Sequence, residues 1–345
     1  MTSRPGTTAA APFTVDHLLP DDFFSNALRA DARAGLTSVP KSLPPRWFYD
    51  ARGSELFEEI TRLKEYYPTR AEREILETRS AEIAAATGAR TLVELGSGSS
   101  EKTRLLLDAL AAAGTLAGYV PVDVSESALT QAAARLQETF PRLAVHAQIA
   151  DFQEHLGLAD DADNTDDATE GPRLLAFLGG TIGNLEPTER AAFFTRVAAA
   201  LRPDDTLLLG TDLVKDPATL IAAYDDAAGV TAEFNKNVLA VLNRELDAAF
   251  DPDAFSHVAV WDAEREWIEM RLRAREDLTV KVRGLDLAVS FARGEELRTE
   301  VSAKFRREGI RAELERAGLE LRHWWTDAAG RYALSLAGPY ERSTR

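Results

Sequence analysis

The sequence is poor in the residues that most often build metal and redox centres. Its 345 residues include no cysteine and only five histidines. The absence of cysteine excludes disulfides, thiolate metal ligands and a cysteine nucleophile. The histidines show neither HxxxH nor HxH spacing, so we expect no metal site.

Long apolar runs and basic clusters are also absent. No window reaches about 18 consecutive apolar residues, and the N-terminal MTSRPGTTAAAPF lacks the apolar core of a signal peptide. We therefore expect a cytoplasmic protein with no membrane partner. The net charge is −16, and no block of Lys and Arg occurs. Such a surface repels a phosphate backbone, which predicts that nucleic acid is not a partner.

The sequence does contain a regular alternation of strand-like and helix-like segments. Between residues 91 and 214, short apolar runs such as TLVEL and RLLAFLGG are separated by helical stretches. This order is typical of a doubly wound parallel sheet, that is, a Rossmann-like α/β domain. After about residue 260 the hydrophobic period changes to two, as in REWIEMRLRA, which predicts a second, α+β domain.

Two polar segments are not expected to join this fold. Residues 1–18 begin with small and polar residues and proline, which predicts a disordered extension. Residues 159–171 (ADDADNTDDATEG) contain six acids and no apolar anchor. We expect this second segment to be a solvated loop without a function.

The stretch TLVELGSGSSEKTR places a glycine turn between a predicted strand and a predicted helix. Such a turn occurs in many α/β folds without binding anything. Here, however, Glu94, Asp123 and Asp151 lie at the C-terminal ends of three consecutive predicted strands. Open parallel sheets bind their ligands at that edge, so we predict that the three acids line a site for a nucleotide-like ligand.

A departure from the dinucleotide fingerprint indicates which ligand this is. The pattern G-x-G-x-x-G requires glycine at position 101, where the chain has Glu101. A carboxylate in the first helical turn opposes a pyrophosphate but tolerates a ligand that has no phosphates. S-adenosylmethionine is such a ligand, because it combines a ribose, an adenine and a cationic sulfonium.

Each cofactor-binding candidate matches one part of S-adenosylmethionine. We predict that Asp123 binds the ribose hydroxyls and that Asp151 accepts the adenine amino group. Phe152 would pack against the adenine ring as an apolar wall. Lys102 and the backbone amides near Gly96 would bind the methionine carboxylate.

Several long and unusual segments resemble one known family, the L-histidine Nα-methyltransferases of ergothioneine biosynthesis. The resemblance runs from about residue 20 to the end of the sequence and is interrupted only by the acidic loop. The segments that carry it are SLPPRWFYDARGSELFEEITRLKEYYPTRAEREIL, FLGGTIGNL, LLLGTDLVKD, AYDDAAGVTAEFNKNVLAVLNREL and TEVSAKF.

The resemblance implies an activity and a domain arrangement. Members of this family transfer three methyl groups from S-adenosylmethionine to the α-amine of histidine, giving hercynine in the first step of ergothioneine biosynthesis. Their Rossmann-like methyltransferase domain is accompanied by a second domain built from both termini. Here this implies a methyltransferase domain at 71–214 and a substrate-binding α+β domain made of 19–70 and 215–345. We expect the chain to be a monomer.

The resemblance also implies which residues form the site. The cofactor-binding positions that it implies are the same as those assigned above. It also implies Tyr49 as a pocket position, and we predict Tyr49 and Asn184 as the catalytic residues. The substrate-binding positions that it implies are Tyr66, Asn184, Tyr224, Met270, Glu300 and Ser302.

The chemistry of these residue types fits an amino acid that carries an imidazole. Glu300 and Ser302 are two residues apart on a predicted strand, so their side chains point to one face. The carboxylate can accept an imidazole N–H, and the hydroxyl can donate or accept. Tyr66 and Tyr224 offer aromatic faces that tolerate a quaternary ammonium. Without the resemblance, a solvent-facing strand is the first interpretation of Glu300 and Ser302, and a place in the core is the commoner one for Tyr66 and Tyr224.

The predicted reaction is an in-line displacement in which the neutral α-amine attacks the sulfonium methyl group. Catalysis then consists chiefly of positioning two reactants. Tyr49 or a bound water could relay the released protons. Three other interpretations remain open at this stage: methylation of another amino acid or biogenic amine, an NAD(P)-dependent oxidoreductase, which Glu101 disfavours, and a non-catalytic binding protein.

Overall fold

The computed structural model describes residues 13–20, 22–98, 102–158 and 171–340. Two predictions concern residues outside these ranges, namely the effect of Glu101 and the acidic loop, of which only Gly171 is described. The first twelve residues of the predicted N-terminal extension also lie outside them.

Helices and strands alternate through the first two thirds of the chain, and strands prevail after residue 255. The helices are α1 Phe23–Thr37, α2 Ala51–Arg62, α3 Pro68–Thr87, α4 Thr103–Ala112, α5 Glu126–Thr139, α6 Pro187–Ala200, α7 Pro217–Tyr224, α8 Val230–Leu246 and α9 Arg307–Arg316. The strands are β1 Phe13–His17, β2 Lys41–Ser42, β3 Thr91–Leu95, β4 Gly118–Asp123, β5 Ala144–Ile149, β6 Arg173–Phe177, β7 Thr206–Asp212, β8 Phe255–Asp262, β9 Trp267–Ala274, β10 Leu278–Val282, β11 Leu287–Phe291, β12 Glu296–Ala303, β13 Leu319–Thr326 and β14 Tyr332–Pro339. Short 3-10 helices at Pro45–Phe48 and Thr181–Asn184 carry parts of the site.

The larger sheet has the strand order β1-β5-β4-β3-β6-β7-β14-β13. The strands from β1 to β7 in this order are parallel, whereas β14 is antiparallel to β7 and β13 is antiparallel to β14. The strand order reverses between β3 and β6. The ligand-binding crevice of such sheets therefore lies at the carboxyl ends of these two strands. The predicted Rossmann-like α/β fold is confirmed.

Strand β1 corrects the predicted extent of the disordered N-terminal extension. The extension is predicted to include residues 1–18, but Phe13–His17 pair in parallel with β5. The side chain of Phe13 packs against an apolar cluster that contains Ala147 and Ile149. These partners are far away along the chain, so local composition does not reveal the strand.

The C-terminal hairpin corrects the predicted boundary of the second domain. Both β13 and β14 fall within residues 215–345, but they extend the larger sheet beside β7. Nearly all residues of β14 are buried, and α3 packs against this strand. A strand that lies inside a sheet and is covered by a helix is expected to be mostly apolar, as the sequence YALSLAGP of β14 is.

A second sheet is formed by segments from both ends of the chain. Its strand order is β2-β12-β9-β8. Strand β12 is parallel to β2 and antiparallel to β9, which is in turn antiparallel to β8. Strands β10 and β11 form a separate antiparallel pair, and α8 packs against α2, β8 and β9. The predicted antiparallel structure after about residue 260 is confirmed.

The two sheets meet where β7 and β12 end. The backbone N–H of Phe305 donates to the carbonyl of Asp212 at 2.8 Å, and the N–H of Val214 donates to the carbonyl of Phe305 at 3.1 Å. These bonds hold the last residues of β12 next to the carboxyl end of β7. The glycine turn after β3 lies at the same edge of the larger sheet.

Within the described part of the chain, no helix is long and apolar enough to cross a bilayer. The same residues contain no group of three or more His, Cys, Asp or Glu side chains placed to hold a metal ion.

Candidate active site

The glycine turn after β3 forms one wall of the crevice. Gly96 and Gly98 have φ values of 65° and 48°, which favour glycine over residues with a side chain. A Cβ at either position would meet no atom of the described residues within 4 Å, so these residues leave the space above the turn open. The N–H of Gly96 donates to the carbonyl of Val122 at 2.8 Å and fixes the turn. A ligand above β3 can therefore approach the backbone closely.

Asp123 is the last residue of β4 and lies beside this turn. Its two carboxylate oxygens accept the N–H groups of Gly98 and Ser125, each at 2.9 Å. Burial raises the pKa of Asp123, although these backbone bonds oppose the rise. Each oxygen keeps a further lone pair, so the carboxylate can still accept hydrogen bonds from two hydroxyls of a ribose.

Asp151 and Phe152 follow β5, the next strand of the sheet. One oxygen of Asp151 accepts the N–H of Gln153 at 2.8 Å, and the other faces the guanidinium of Arg46 at 3.3 Å. Arg46 comes from the 3-10 helix that precedes α2. The rings of Phe152 and Phe177 pack with their centroids 5.0 Å apart, which makes an apolar wall next to the acid.

Lys102 lies beside the turn, but its ammonium group already has a partner. Its Nζ donates to Glu72, whose side chain is fully buried. The other oxygen of Glu72 accepts the N–H of Gly179 at 2.7 Å and the hydroxyl of Tyr332 at 2.9 Å. A methionine carboxylate would therefore have to share the charge of Lys102 with Glu72, and this role of Lys102 stays a prediction.

The prediction that all three strand-end acids line the crevice is wrong for Glu94. This residue is buried, and its oxygens accept the hydroxyls of Thr103 and Tyr119, the latter at 2.5 Å. Burial raises the pKa of Glu94 to about 7, and the two hydroxyl bonds and Lys102 oppose the rise. Glu94 thus connects β3 to its neighbouring strand and helix rather than to a ligand.

Strand β12 presents a polar side chain at every second position near its end. Glu300, Ser302 and Lys304 have this spacing, which directs side chains to one face of a strand. The Oγ of Ser302 accepts a hydrogen bond from Nζ of Lys304 at 2.8 Å. It also lies 2.8 Å from the hydroxyl of Tyr224, the last residue of α7.

Asn184 reaches this strand from the 3-10 helix that follows β6. Its Nδ2 donates to Oε1 of Glu300 at 2.9 Å and to the carbonyl of Val301 at 2.8 Å. This 3-10 helix approaches β12 closely, because a Cβ at Gly183 would lie 2.9 Å from the carbonyl oxygen of Ala303. Asn184 therefore bridges the larger sheet and the second sheet.

Three tyrosines and Phe57 form an aromatic wall beside Glu300. The ring centroids of Tyr66 and Tyr224 are 6.4 Å apart, and Phe57 lies 5.5 Å from Tyr49 and 6.1 Å from Tyr66. Tyr49 keeps 49% of its surface exposed, whereas Tyr224 is buried. Burial of the hydroxyl groups, including that of the half-exposed Tyr49, and the nearby carboxylate of Glu300 raise the pKa of all three phenols, so they stay neutral at physiological pH.

Met270 of β9 is the cross-strand partner of Glu300. A shift of register between Arg298 and Glu300 sets this pairing. Directly opposed residues project from the same face of a sheet. Met270 is 1% exposed and so adds buried apolar surface next to the carboxylate.

Comparison with known sequences identifies the family. A family described as histidine-specific, S-adenosylmethionine-dependent methyltransferases matches residues 28–339, which is most of the chain. The chain belongs to this family.

Individual relatives cover nearly the whole chain. The histidine N-alpha-methyltransferase of Mycolicibacterium smegmatis is 59% identical over 316 residues, which are 92% of this chain and 96% of the relative. The protein of the same name from Mycobacterium tuberculosis is 56% identical over 324 residues, which are 94% and 98% of the two chains. An N-methyltransferase of Aspergillus terreus is 30% identical over 311 residues, or 86% and 84%. The predicted family, and with it S-adenosylmethionine as the methyl donor, is confirmed.

In this methyltransferase the carboxyl group of Glu300 has an unusual proton affinity. Burial raises its pKa to about 7, and the hydrogen bond from Asn184 and the charge of Lys304 oppose the rise. Ionisation of Glu300 near neutral pH therefore depends on the donors that surround it. A substrate N–H placed against it adds one more donor and favours the carboxylate.

Four polar residues of the methyltransferase were not singled out by sequence reasoning. Asp212, at the end of β7, accepts both Lys304 Nζ at 3.1 Å and Lys215 Nζ at 2.6 Å. The hydroxyl of Tyr67 donates to the same carboxylate at 2.9 and 2.7 Å. Lys304 could have been found from its spacing, since it lies two residues beyond Ser302. The other three carry no local signal.

Proposed function

We propose that this enzyme transfers methyl groups from S-adenosylmethionine to the α-amino nitrogen of L-histidine, three in succession, to give hercynine in the first step of ergothioneine biosynthesis. The observation that carries the proposal is a half-buried carboxylate, Glu300, two residues from a buried hydroxyl, Ser302, beside three tyrosines. A neutral imidazole has one N–H donor and one acceptor nitrogen, which match these two groups. The names of the mycobacterial relatives support the same substrate.

We assign the α-amine to the region next to Asn184. Both hydrogens of its amide are used, one on Glu300 and one on the carbonyl of Val301. Only its carbonyl oxygen remains for a ligand, and this atom can accept but cannot donate. Asn184 is therefore suited to an amine hydrogen of the substrate rather than to its carboxylate.

The aromatic wall suits the positive charge that the α-nitrogen of the substrate gains when it is fully methylated. The final product carries a permanent positive charge, which aromatic faces such as those of Tyr66 and Tyr224 attract. Tyr49 has a raised pKa, so it does not act as a phenolate base. As a neutral phenol it can still accept one proton while it donates another, and we propose it as a relay between the amine and water.

The residues around the glycine turn fit the methyl donor. Asp123 would hold the ribose, Asp151 and Phe152 the adenine, and Gly96 and Lys102 the methionine end. The open space over the two glycines and the free lone pairs of Asp123 support this fit. When bound, S-adenosylmethionine supplies a methyl group on a cationic sulfur. The protein contributes mainly by holding the amine in line with it.

We further propose that the enzyme works as a monomer in the cytoplasm. Sedimentation analysis of the purified chain tests the first part of this statement. A dimer at micromolar concentration would contradict it.

Isothermal titration calorimetry tests the assignment of the histidine site. In the presence of S-adenosylhomocysteine, Glu300→Ala and Ser302→Ala should each weaken histidine binding by about tenfold or more, because each removes a buried hydrogen-bond partner. Their affinity for S-adenosylhomocysteine alone should stay unchanged. Ser290→Ala is a matched control, since the exposed Ser290 hydroxyl lies 3.0 Å from that of Thr279 on the neighbouring strand. Wild-type histidine affinity in both site variants would show that the substrate binds elsewhere.

A further inference from the structure

Lys304 is a buried ammonium group that the roles assigned above do not use. Its side chain is 0% exposed. Its Nζ lies 2.9 Å from the hydroxyl of Tyr224, 2.8 Å from Oγ of Ser302 and 3.1 Å from Oδ2 of Asp212. An ammonium has three N–H donors and no acceptor, so each of these three oxygens must accept one hydrogen from Lys304.

This arrangement limits where the hydroxyl hydrogens of Tyr224 and Ser302 can point. The two oxygens are 2.8 Å apart, so one hydroxyl donates its hydrogen to the other. Neither hydroxyl can donate to the ammonium, because an ammonium accepts nothing. The pair therefore has one hydrogen left over. That hydrogen is free to donate to a ligand atom next to Glu300.

We propose that Lys304 is a positioning residue that fixes the hydroxyls of Tyr224 and Ser302 as a single outward hydrogen-bond donor toward the substrate. The proposal rests on the proposed histidine site. An unprotonated imidazole nitrogen is the acceptor that this donor fits, while the N–H on the other side of the ring fits Glu300. Without the ammonium, both hydroxyls can rotate, and the pair can present lone pairs to the ring instead.

The positive charge of Lys304 also acts on nearby ionisable groups. The test must therefore separate this effect of charge from the orientation of the two hydroxyl groups. Lys304 directly follows β12, the strand that carries Glu300, and its charge opposes the burial that raises the pKa of Glu300. Asp212 and Lys215 face Lys304 from the end of β7 and the segment after it, and Tyr67 faces Asp212 from the position just before α3. Lys215 is a matched control, because it bonds the same carboxylate at 2.6 Å but contacts neither hydroxyl of the pair.

The structure indicates that Lys304→Met can fold. Asp212 would keep the ammonium of Lys215 and the hydroxyl of Tyr67, so no buried carboxylate is left without a partner. If Lys304→Met fails to bind S-adenosylhomocysteine, the same measurements are made with Lys304→Met combined with Asp212→Asn, which leaves the site with the charge that it has now.

A double-mutant cycle on histidine affinity tests the proposal. Titrations with L-histidine in the presence of S-adenosylhomocysteine compare wild type, Lys304→Met, the pair Tyr224→Phe/Ser302→Ala, and all three substitutions together. Lys304→Met should weaken histidine binding by about tenfold in wild type and by less than about twofold where the hydroxyls are absent. Lys215→Met should leave histidine affinity within about twofold of wild type.

The outcomes separate the possible roles of Lys304. An equal loss in both backgrounds would overturn the proposal, since Lys304 would then act through charge or packing and not through the hydroxyls. No loss in wild type, or an equal loss in Lys215→Met, would also overturn it. If wild type itself does not bind histidine, the proposed function fails first, and this result is distinct from a cycle without coupling.

Discussion

Replacement of Glu300 by glutamine should stabilise the ligand-free protein at high pH. Burial raises the pKa of Glu300 from 4.5 to about 7. One unit of pKa corresponds to about 1.4 kcal/mol, so ionised Glu300 costs the folded protein about 3 kcal/mol above neutral pH. Because the folded pKa is the higher one, this cost is absent in acid and grows as pH rises from 4.5 to about 7. Glutamine avoids the cost and can still accept the hydrogen bond from Asn184.

Urea denaturation of wild type and Glu300→Gln at about pH 5 and about pH 8 measures this difference. We expect the stability gained by the variant to be about 2–3 kcal/mol larger at the higher pH. Glu296→Gln on the same strand is the control, because Arg271 and Arg273 lower the pKa of Glu296 against the effect of burial. That variant should lose a similar amount of stability at both pH values. A stability difference for Glu300→Gln that does not change with pH would refute the reasoning, since Glu300 would then ionise like an exposed carboxylate.

Three further substitutions, one of them with a matched control, also test the site. Asp123→Ala should weaken S-adenosylhomocysteine binding by about 1.5–3 kcal/mol in calorimetry, and unchanged affinity in a folded variant would remove Asp123 from the cofactor site. Gly183→Ala should lower thermal stability and histidine affinity, because its Cβ would lie 2.9 Å from the carbonyl oxygen of Ala303. Gly309→Ala, where a Cβ meets no atom of the described residues within 4 Å, should have neither effect, and equal behaviour of the two variants would contradict the packing argument. Glu300→Ala should reduce the preference for histidine over phenylalanine and tryptophan in methylation assays, and an unchanged preference would make Glu300 irrelevant to specificity.

The parallel strands β3 to β7 are predicted by the sequence, but the strands at the edges of the sheet are not. Strands β3 to β7 are short apolar runs between amphipathic helices, which is a local pattern. Strand β1 pairs Phe13 with Val145, and β14 pairs Tyr332 with Asp212. These pairings connect distant parts of the chain, and the sequence of each strand alone does not predict which strand it pairs with. For this reason the sequence places β1 in the N-terminal extension and β13 and β14 in the second domain, although all three strands belong to the larger sheet.

The site shows the same division between local and long-range information. The same-face spacing of Glu300 and Ser302 is local, and it also applies to Lys304. The meeting of Lys304 with Asp212 depends on how the second sheet docks on the larger one. Likewise, the ion pair between Lys102 and Glu72 joins the start of α4 to α3. Nothing in the sequence near Lys102 indicates this partner, so Lys102 is predicted to be available for the methionine carboxylate.

The measurement that tests the central claim most directly is product analysis by mass spectrometry. The purified protein is incubated with L-histidine and S-adenosylmethionine, and the products are weighed and fragmented. The account predicts products that carry one, two and finally three added methyl groups, all on the α-nitrogen. No methylated histidine, or methyl groups on the imidazole ring, would contradict it.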